Sequence, residues 1–240
     1  MTTKEETIRQ IFDSIAPNYD FVNSLISFGR HHYWRKFTVA KAEVPLNGIV
    51  LDVCCGTGMI TRDLALKAGP KGKVIGIDIS ANMLEIARED TSNFKLKDNI
   101  EFHHANAMQI PFPDNTFDCV TIGYGLRNST NPKQVLEEIK RVTKLNGRFV
   151  SLEMVKPSLP LFKQLYNFYL NNWVPLVGKI AGKNRNAYQY LHDSIVSFIC
   201  QNELTQVFRE IGFENIKCYE LTWGIVAVHA GFKPLNNKNT

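Results

Sequence analysis

Residues 49–58 read Ile49-Val50-Leu51-Asp52-Val53-Cys54-Cys55-Gly56-Thr57-Gly58, a short apolar run that ends in glycines. An unbroken apolar run marks a strand buried on both faces, and glycines at its end let backbone N–H groups approach a ligand closely. A helix is predicted directly afterwards, over residues 59–68. Lys73-Val74-Ile75-Gly76-Ile77-Asp78 repeats the design, with Ser80 a good N-cap for a helix through Arg88. Further strands are predicted at 100–103, 117–122 and 148–154. A helix at 132–145, striped by Val135, Ile139 and Val142, is expected to stop at Gly147. This β-α-β-α order with near-continuous apolar strands predicts a parallel sheet covered by helices on both faces. A helix at 202–211 precedes strands near 215–221 and 224–232. Their closeness across Thr222-Trp223-Gly224 predicts an antiparallel hairpin at one end of the sheet.

Upstream, Ile8, Ile11, Phe12 and Ile15 recur at helix spacing over 4–15, and a second helix is expected at 31–42. Ala16-Pro17-Asn18-Tyr19-Asp20 lies between them as a break enforced by Pro17. The chain has 240 residues, 44% of them hydrophobic and 21% charged, which excludes disorder, collagen-like repeats and a disulfide scaffold. One domain over 1–235 is expected: a helical lid at 1–45, a binding core at 46–154, a helical cap at 155–192, and a helix and hairpin at 193–235. The Asn/Lys tail 236–240 reads as disordered. Five cysteines without C-x-x-C spacing suggest no zinc cluster, and no metal site is expected. The charged start lacks a signal-peptide apolar region, and no apolar run is long enough to span a bilayer. The expected location is the cytoplasm, with any membrane contact peripheral.

The net charge of +5 is localised. No Asp or Glu occurs from Met154 to His192, whereas Lys156, Lys163, Lys179, Lys183 and Arg185 all do. Phe162, Tyr166, Phe168, Tyr169, Trp173, Tyr188 and Tyr190 fall in the same stretch. Such a segment suits a membrane surface, a nucleic acid or an aromatic substrate, or forms helices packed on the core with solvated lysines.

In an open α/β sheet, the turn after the first strand faces the crevice where ligands bind. A dinucleotide fingerprint needs a third glycine, and Thr61 stands there, which weakens a hydride-transfer reading. Asp78 ends the second strand about 20 residues after the loop, where a carboxylate accepts both ribose hydroxyls of an adenosine; otherwise it is an early helix cap. Asn106-Ala107 follows the third strand and offers an amide to an adenine edge, or makes a turn. Together these features resemble the class I methyltransferases that bind S-adenosylmethionine. The resemblance implies a doubly wound sheet of seven strands, ordered 3-2-1-4-5-7-6 with the seventh antiparallel.

Four further stretches narrow the resemblance. Phe12-Asp13-Ser14-Ile15-Ala16-Pro17-Asn18-Tyr19-Asp20, continuing through Asn23, Ser27, Gly29 and Trp34-Arg35, is similar to the amino-terminal signature of the quinone C-methyltransferases of menaquinone and ubiquinone synthesis. Tyr124-Gly125-Leu126-Arg127-Asn128 resembles that family's second signature, preceded in place by Ile110 to Asp118. Tyr188-Gln189-Tyr190-Leu191 and Leu221 to His229 resemble its carboxyl half. The likeness implies cofactor positions at Asp52, Gly56, Thr57, Gly58, Asp78, Ile79 and Met83, and at Asn106, Ala107 and Gly123. Gly123 stands where some of these enzymes have a serine, a departure that slightly disfavours the ubiquinone-type enzymes.

The implied reaction is C-methylation of a reduced prenylated quinol, with demethylmenaquinol to menaquinol as the leading case. The alternatives are the benzoquinol of the ubiquinone pathway, a small molecule or an RNA. Arg127 is the leading catalytic candidate because a guanidinium stabilises a naphtholate; its other reading is an ion pair with Glu153 or Asp20. Asn128 orients a ring hydroxyl or caps the next helix. Tyr19, Tyr124 and Tyr188 are the candidate acceptor contacts, although Tyr19 equally reads as a core aromatic. His31-His32 and His103-His104 read as surface or strand residues, and His192 as a weak general-base candidate. A nucleic-acid partner is not expected: Gly123-Tyr124-Gly125-Leu126 replaces the Asn/Asp-Pro-Pro-Tyr element of base aminomethylases, and no Pro-Cys pair occurs. A non-enzymatic nucleotide-binding subunit and a homodimer stay open.

Overall fold

A computed structural model describes residues 3–157, 164, 166, 168–173 and 185–235. Its strands are β1 (Ile49–Val53), β2 (Lys73–Asp78), β3 (Ile100–His104), β4 (Phe117–Gly123), β5 (Thr143–Met154), β6 (Glu214–Leu221) and β7 (Val226–Phe232). They form one sheet in the order β3-β2-β1-β4-β5-β7-β6. β1 to β5 are parallel, and β7 is antiparallel to both of its neighbours. Order and direction match the expectation drawn from the resemblance.

The two-sided burial of β1 follows from its sequence. Successive side chains point to opposite faces, so Val50 packs with Leu64, Ala65 and Val74, while Leu51 and Val53 pack with Ile75, Ile77, Val120 and Leu136. Helices α3 (Arg30–Lys41) and α4 (Met59–Ala68) cover the first face; α6 (Pro132–Val142) and α8 (Gln201–Ile211) cover the second. Each fully buried Leu or Ile contributes about 1.5–3 kcal/mol, so this doubly covered strand is a rigid base for the loop at its end. The remaining helices are α1 (Thr3–Ile15), α2 (Tyr19–Ile26), α5 (Ala81–Thr91) and α7 (Arg185–Ser197).

Three local expectations are corrected. Helix α6 begins at Pro132 after an Asn131 cap, as its sequence suits, but ends at Val142 rather than near 145. Gly147 therefore stops no helix. It lies within β5 beside a register shift, where a Cβ would sit 2.7 Å from the Lys144 carbonyl oxygen. At the other end, the break at Pro17 is one 3-10 turn, Ala16–Asn18, after which the chain re-enters helix at Tyr19. The lysines Lys163, Lys179 and Lys183, Phe162 and the tail 236–240 lie outside the described residues.

Candidate active site

Two cavities meet where β1 and β4 end. The larger, of about 540 Å³, has Asp52, Thr57 and Arg127 on one side and an apolar wall that includes Trp34, Leu152, Tyr166 and Tyr169. The smaller, of about 100 Å³, is bordered by Asp78, Ile79, Met83, Asn106 and Ala107, with Ile8 and Phe12 of α1 also in its wall. Tyr19, Cys54, Gly56, Gly123 and Tyr124 line both. A donor reaching from the smaller cavity past Gly56 to Asp52 would thus bring its methyl group to an acceptor held in the rest of the larger cavity.

The loop's shape depends on Gly58. Its φ of +75° is strained for any L side chain, and a Cβ would come within 2.9 Å of the Phe102 ring. Asp78 sits opposite. Its Oδ2 accepts the Gly56 N–H and its Oδ1 the Ser80 N–H, both at 2.9 Å. Burial pushes the Asp78 carboxyl up and these amides pull it back. Each oxygen keeps a further lone pair, so a diol can bind without breaking either bond. Ser80, not Asp78, caps α5, accepting from the Met83 N–H at 3.1 Å. Asn106 accepts the Met108 N–H on its Oδ1 at 2.9 Å, so the turn role is realised, and the residue also lines the smaller cavity.

Asp52 is buried at the base of the loop, where Thr61 and Thr121 donate their hydroxyls at 2.7 and 2.8 Å. Burial raises its pKa to about 7 against those two bonds. A cationic group entering beside it would draw out the ionised form. At Gly123, the space a serine Cβ would need is occupied by Ile60 Cδ1, 2.6 Å from the ideal position.

The amino-terminal helices are fastened over this site. Thr57 Oγ1 donates to Asp20 Oδ1 at 3.0 Å, and Ser80 Oγ donates to Asp13 Oδ1 at 2.6 Å. That places Tyr19 at the join between the cavities. Its phenol is pushed up by burial, against the pull of Arg127.

Arg127 makes the ion pair that was one of its two readings, and it also borders the acceptor-sized cavity. Nη1 donates to Glu153 Oε2 at 2.8 Å and to the Tyr124 carbonyl at 3.1 Å, while Nε is buried with no partner among the described residues. Burial works against the guanidinium charge, but Glu153 outweighs it and holds Arg127 above its ordinary value. Asp20, the other carboxylate considered, bonds Thr57 instead. Asn128 Nδ2 donates to the Tyr124 carbonyl at 2.7 Å and borders the smaller cavity; Asn131 caps the next helix. Tyr124 lines both cavities, whereas the Tyr188 side chain lies outside the described residues. His192 borders neither cavity, and its nitrogens face Asp193 and Asn171 at 3.0 Å each, so nothing favours it as a base.

Sequence reading missed His31, which is nine-tenths buried and borders the larger cavity. Its signal was the helical stripe it shares with Trp34 and Thr38. The residues present fit an S-adenosyl donor: a carboxylate with free lone pairs for a ribose, a loop that tolerates close approach, and a buried acid beside it.

The model for the ubiE/COQ5 methyltransferase family matches residues 1–233. A demethylmenaquinone methyltransferase from Alkalihalophilus pseudofirmus is 44% identical over 234 residues, covering 98% of this chain and 99% of its own length. A ubiquinone/menaquinone biosynthesis C-methyltransferase from Hahella chejuensis is 41% identical, covering 97% of this chain and 94% of its own. Among solved structures, a SAM-dependent methyltransferase from Aquifex aeolicus superposes with a TM-score of 0.63 at 21% identity, over 92% of this chain and 98% of its own. That likeness concerns the fold alone.

Proposed function

The chain belongs to the ubiE/COQ5 methyltransferase family and is an S-adenosylmethionine-dependent methyltransferase, and from that premise we propose that it methylates a ring carbon of a reduced prenylated quinol, demethylmenaquinol first among them. The observation that carries this reading is the apolar cavity of about 540 Å³ that shares the wall Gly56-Gly123-Tyr124 with the cofactor side. A flat fused ring fits a space of this size with a largely apolar wall.

When bound, the sulfonium supplies an electrophilic methyl group. The chain's own residues have two tasks, placing the acceptor carbon in line and raising its electron density. Loss of a hydroxyl proton gives a naphtholate whose ortho carbon is the nucleophile. The new C–C bond forms as the S–CH3 bond breaks, its electron pair leaving with the neutral thioether; that carbon then loses its own proton to solvent and the ring regains aromaticity. Arg127 supplies positive charge at the wall of a largely apolar cavity and lowers the cost of the naphtholate, with Glu153 and the Tyr124 carbonyl holding its Nη1. Arg127 is not the base itself, since a guanidinium has no lone pair to accept a proton. Asp78, Met83 and Ala107 would hold the adenosine end, and Asp52 would face the amino-acid end.

The acceptor's isoprenoid tail stays in a bilayer, so the enzyme works from the membrane surface on the cytoplasmic side. Among the described residues no helix is long and apolar enough to cross a membrane. Five free cysteines suit a reducing compartment. Phe28 and Trp223 are each 68% exposed and border the larger cavity, which gives its mouth an aromatic rim suited to an interface. The acid-free stretch 154–192 adds Lys/Arg heads worth about 1 kcal/mol each at an anionic surface. Neutralising Lys163, Lys179 and Lys183 should weaken binding to anionic liposomes at unchanged cofactor affinity; equal liposome binding would refute the surface role.

The deciding assay uses purified protein, methyl-labelled cofactor, and chemically reduced demethylmenaquinol against the matching benzoquinol. Transfer to the naphthoquinol first is expected, and transfer to neither would end the proposal.

A further inference from the structure

His31 lies in the first turn of α3 and presents an unusual hydrogen-bond inventory. Its Nδ1 is 2.9 Å from Ser27 Oγ, and its Nε2 is buried with no partner among the described residues. Proton counting assigns the tautomer. Ser27 Oγ carries one hydrogen and has two acceptors in reach, the Asn23 carbonyl at 2.6 Å and His31 Nδ1 at 2.9 Å. The shorter contact takes it, so toward His31 the oxygen accepts, from the backbone N–H at 3.3 Å and from the ring. The ring hydrogen therefore sits on Nδ1, and Nε2 presents a lone pair. Burial first, then the neighbouring His32 and Arg35, hold the ring pKa down to about 4, so the imidazole is neutral at pH 7. A buried acceptor without a partner costs free energy, and folded proteins keep such groups where a ligand supplies the missing donor. The space bordered by His31 is the acceptor cavity.

We propose that His31 Nε2 accepts a hydrogen bond from a ring hydroxyl of the reduced acceptor, so that this side chain reads the oxidation state of the ring. The inference rests on the quinol reading of the cavity given above. A quinol hydroxyl donates to a lone pair. A quinone carbonyl offers only lone pairs of its own, so the oxidised ring leaves Nε2 unsatisfied and faces repulsion. Methyl transfer needs the reduced ring, and a site that favours it avoids occupation by the unreactive oxidised form. His31 orients the hydroxyl and is not its base, because an imidazole with a pKa near 4 is far too weak for a phenol-like group near 10.

Two substitutions separate this role from a structural one. In H31N the amide nitrogen replaces Nδ1 and keeps the Ser27 contact, but nothing stands where Nε2 was. In H31Q the amide oxygen reaches the Nε2 position and the Ser27 contact is lost. With reduced short-chain demethylnaphthoquinol, H31N should lose about thirtyfold or more in kcat/KM at unchanged cofactor affinity, and H31Q should recover most of it. Wild-type protein should bind the quinol more tightly than the matching quinone under anaerobic conditions, and H31N should lose that preference. Equal turnover by H31N and wild type, or H31Q failing as badly as H31N, would overturn the inference. A reading that needs no variant comes from wild-type protein carrying ¹⁵N-histidine. The Nε2 resonance should move upfield on adding the quinol and not the quinone; no movement would also overturn it. If wild-type protein methylates no quinol at all, the broader functional reading falls and this inference falls with it. If wild-type protein turns over and H31N matches it, the inference alone falls.

Discussion

Replacing Arg127 by methionine separates what the guanidinium does for the fold from what it does for the reaction. Its partner Glu153 is fully buried, and besides the guanidinium it accepts the Leu126 N–H at 2.7 Å. Removing one member of a buried ion pair leaves an uncompensated charge and costs about 3–5 kcal/mol. For a domain of this size that corresponds to a fall of roughly 6–20 °C in Tm. Arg127→Met should therefore lose stability and turnover together, which by itself proves nothing about catalysis. Adding Glu153→Gln removes the stranded charge while keeping a carbonyl oxygen for Leu126. The double variant should regain most of the lost Tm and bind cofactor normally. Its turnover of reduced demethylnaphthoquinol should stay about 10²–10³-fold down, the usual penalty for losing one group that stabilises a developing oxyanion. Glu153→Gln alone keeps the guanidinium and should retain most of the turnover of wild type once scaled for folded fraction. Measured by thermal melts, cofactor calorimetry and single-turnover transfer, one result would refute the reasoning. That result is a folded double variant with near-wild-type turnover, which would make Arg127 purely structural.

Three more outcomes follow from the site. Asp52 has a folded pKa near 7, above its unfolded value near 4, so between those values the unfolded chain binds fewer protons and stability falls as pH rises. Asp52→Asn should flatten that slope and be the more stable protein at pH 8, by at most about 4 kcal/mol, while its cofactor affinity no longer climbs through pH 7; denaturant melts and calorimetry across pH 5–9 check both. Gly58→Ala should cost about 1–3 kcal/mol from the left-handed φ and the Phe102 contact, with weakened cofactor binding. Asn128→Ala should lower kcat about tenfold with a Tm change of only a few degrees, because its amide holds the Tyr124 carbonyl without carrying buried charge.

The parts of this molecule that were legible in the sequence are those whose logic is local. A strand, its glycines and the helix after them lie within one short stretch, so the loop, Asp78 and the strand order followed from pattern and resemblance. The missed features depend on distant partners. Helix α6 ends at Val142, where Thr143 turns extended to pair with β4 and Lys233 donates its ammonium to the carbonyls of Thr143 and Arg141 at 2.9 and 3.3 Å. No propensity at 140–147 announces a lysine about ninety positions away. The choice between Glu153 and Asp20 for Arg127 was open for the same reason. It is settled by β4 and β5 lying side by side, which puts Glu153 beneath the loop after β4. His31 was hidden differently: a doubled histidine near charged residues looks solvated, and only the packing of α3 leaves it nine-tenths buried beside a cavity.

The strained backbone and the catalytic candidates belong to one arrangement. Cys54 and Tyr124 follow adjacent parallel strands, and both hold left-handed φ angles, 56° and 58°, that non-glycine residues adopt at a cost of about 1–3 kcal/mol each. Both line the two cavities at once, so the strain is stored on the shared wall. At Tyr124 it is held from three sides. Its N–H donates to the Leu152 carbonyl at 2.7 Å, and its carbonyl receives Asn128 at 2.7 Å and Arg127 at 3.1 Å. The guanidinium proposed to steady the naphtholate therefore also fixes the turn that divides donor from acceptor. With Glu153 anchoring it from β5, a displacement of the turn moves the charge with it. Charge and wall stay in register, and that register is the geometric condition for an in-line transfer.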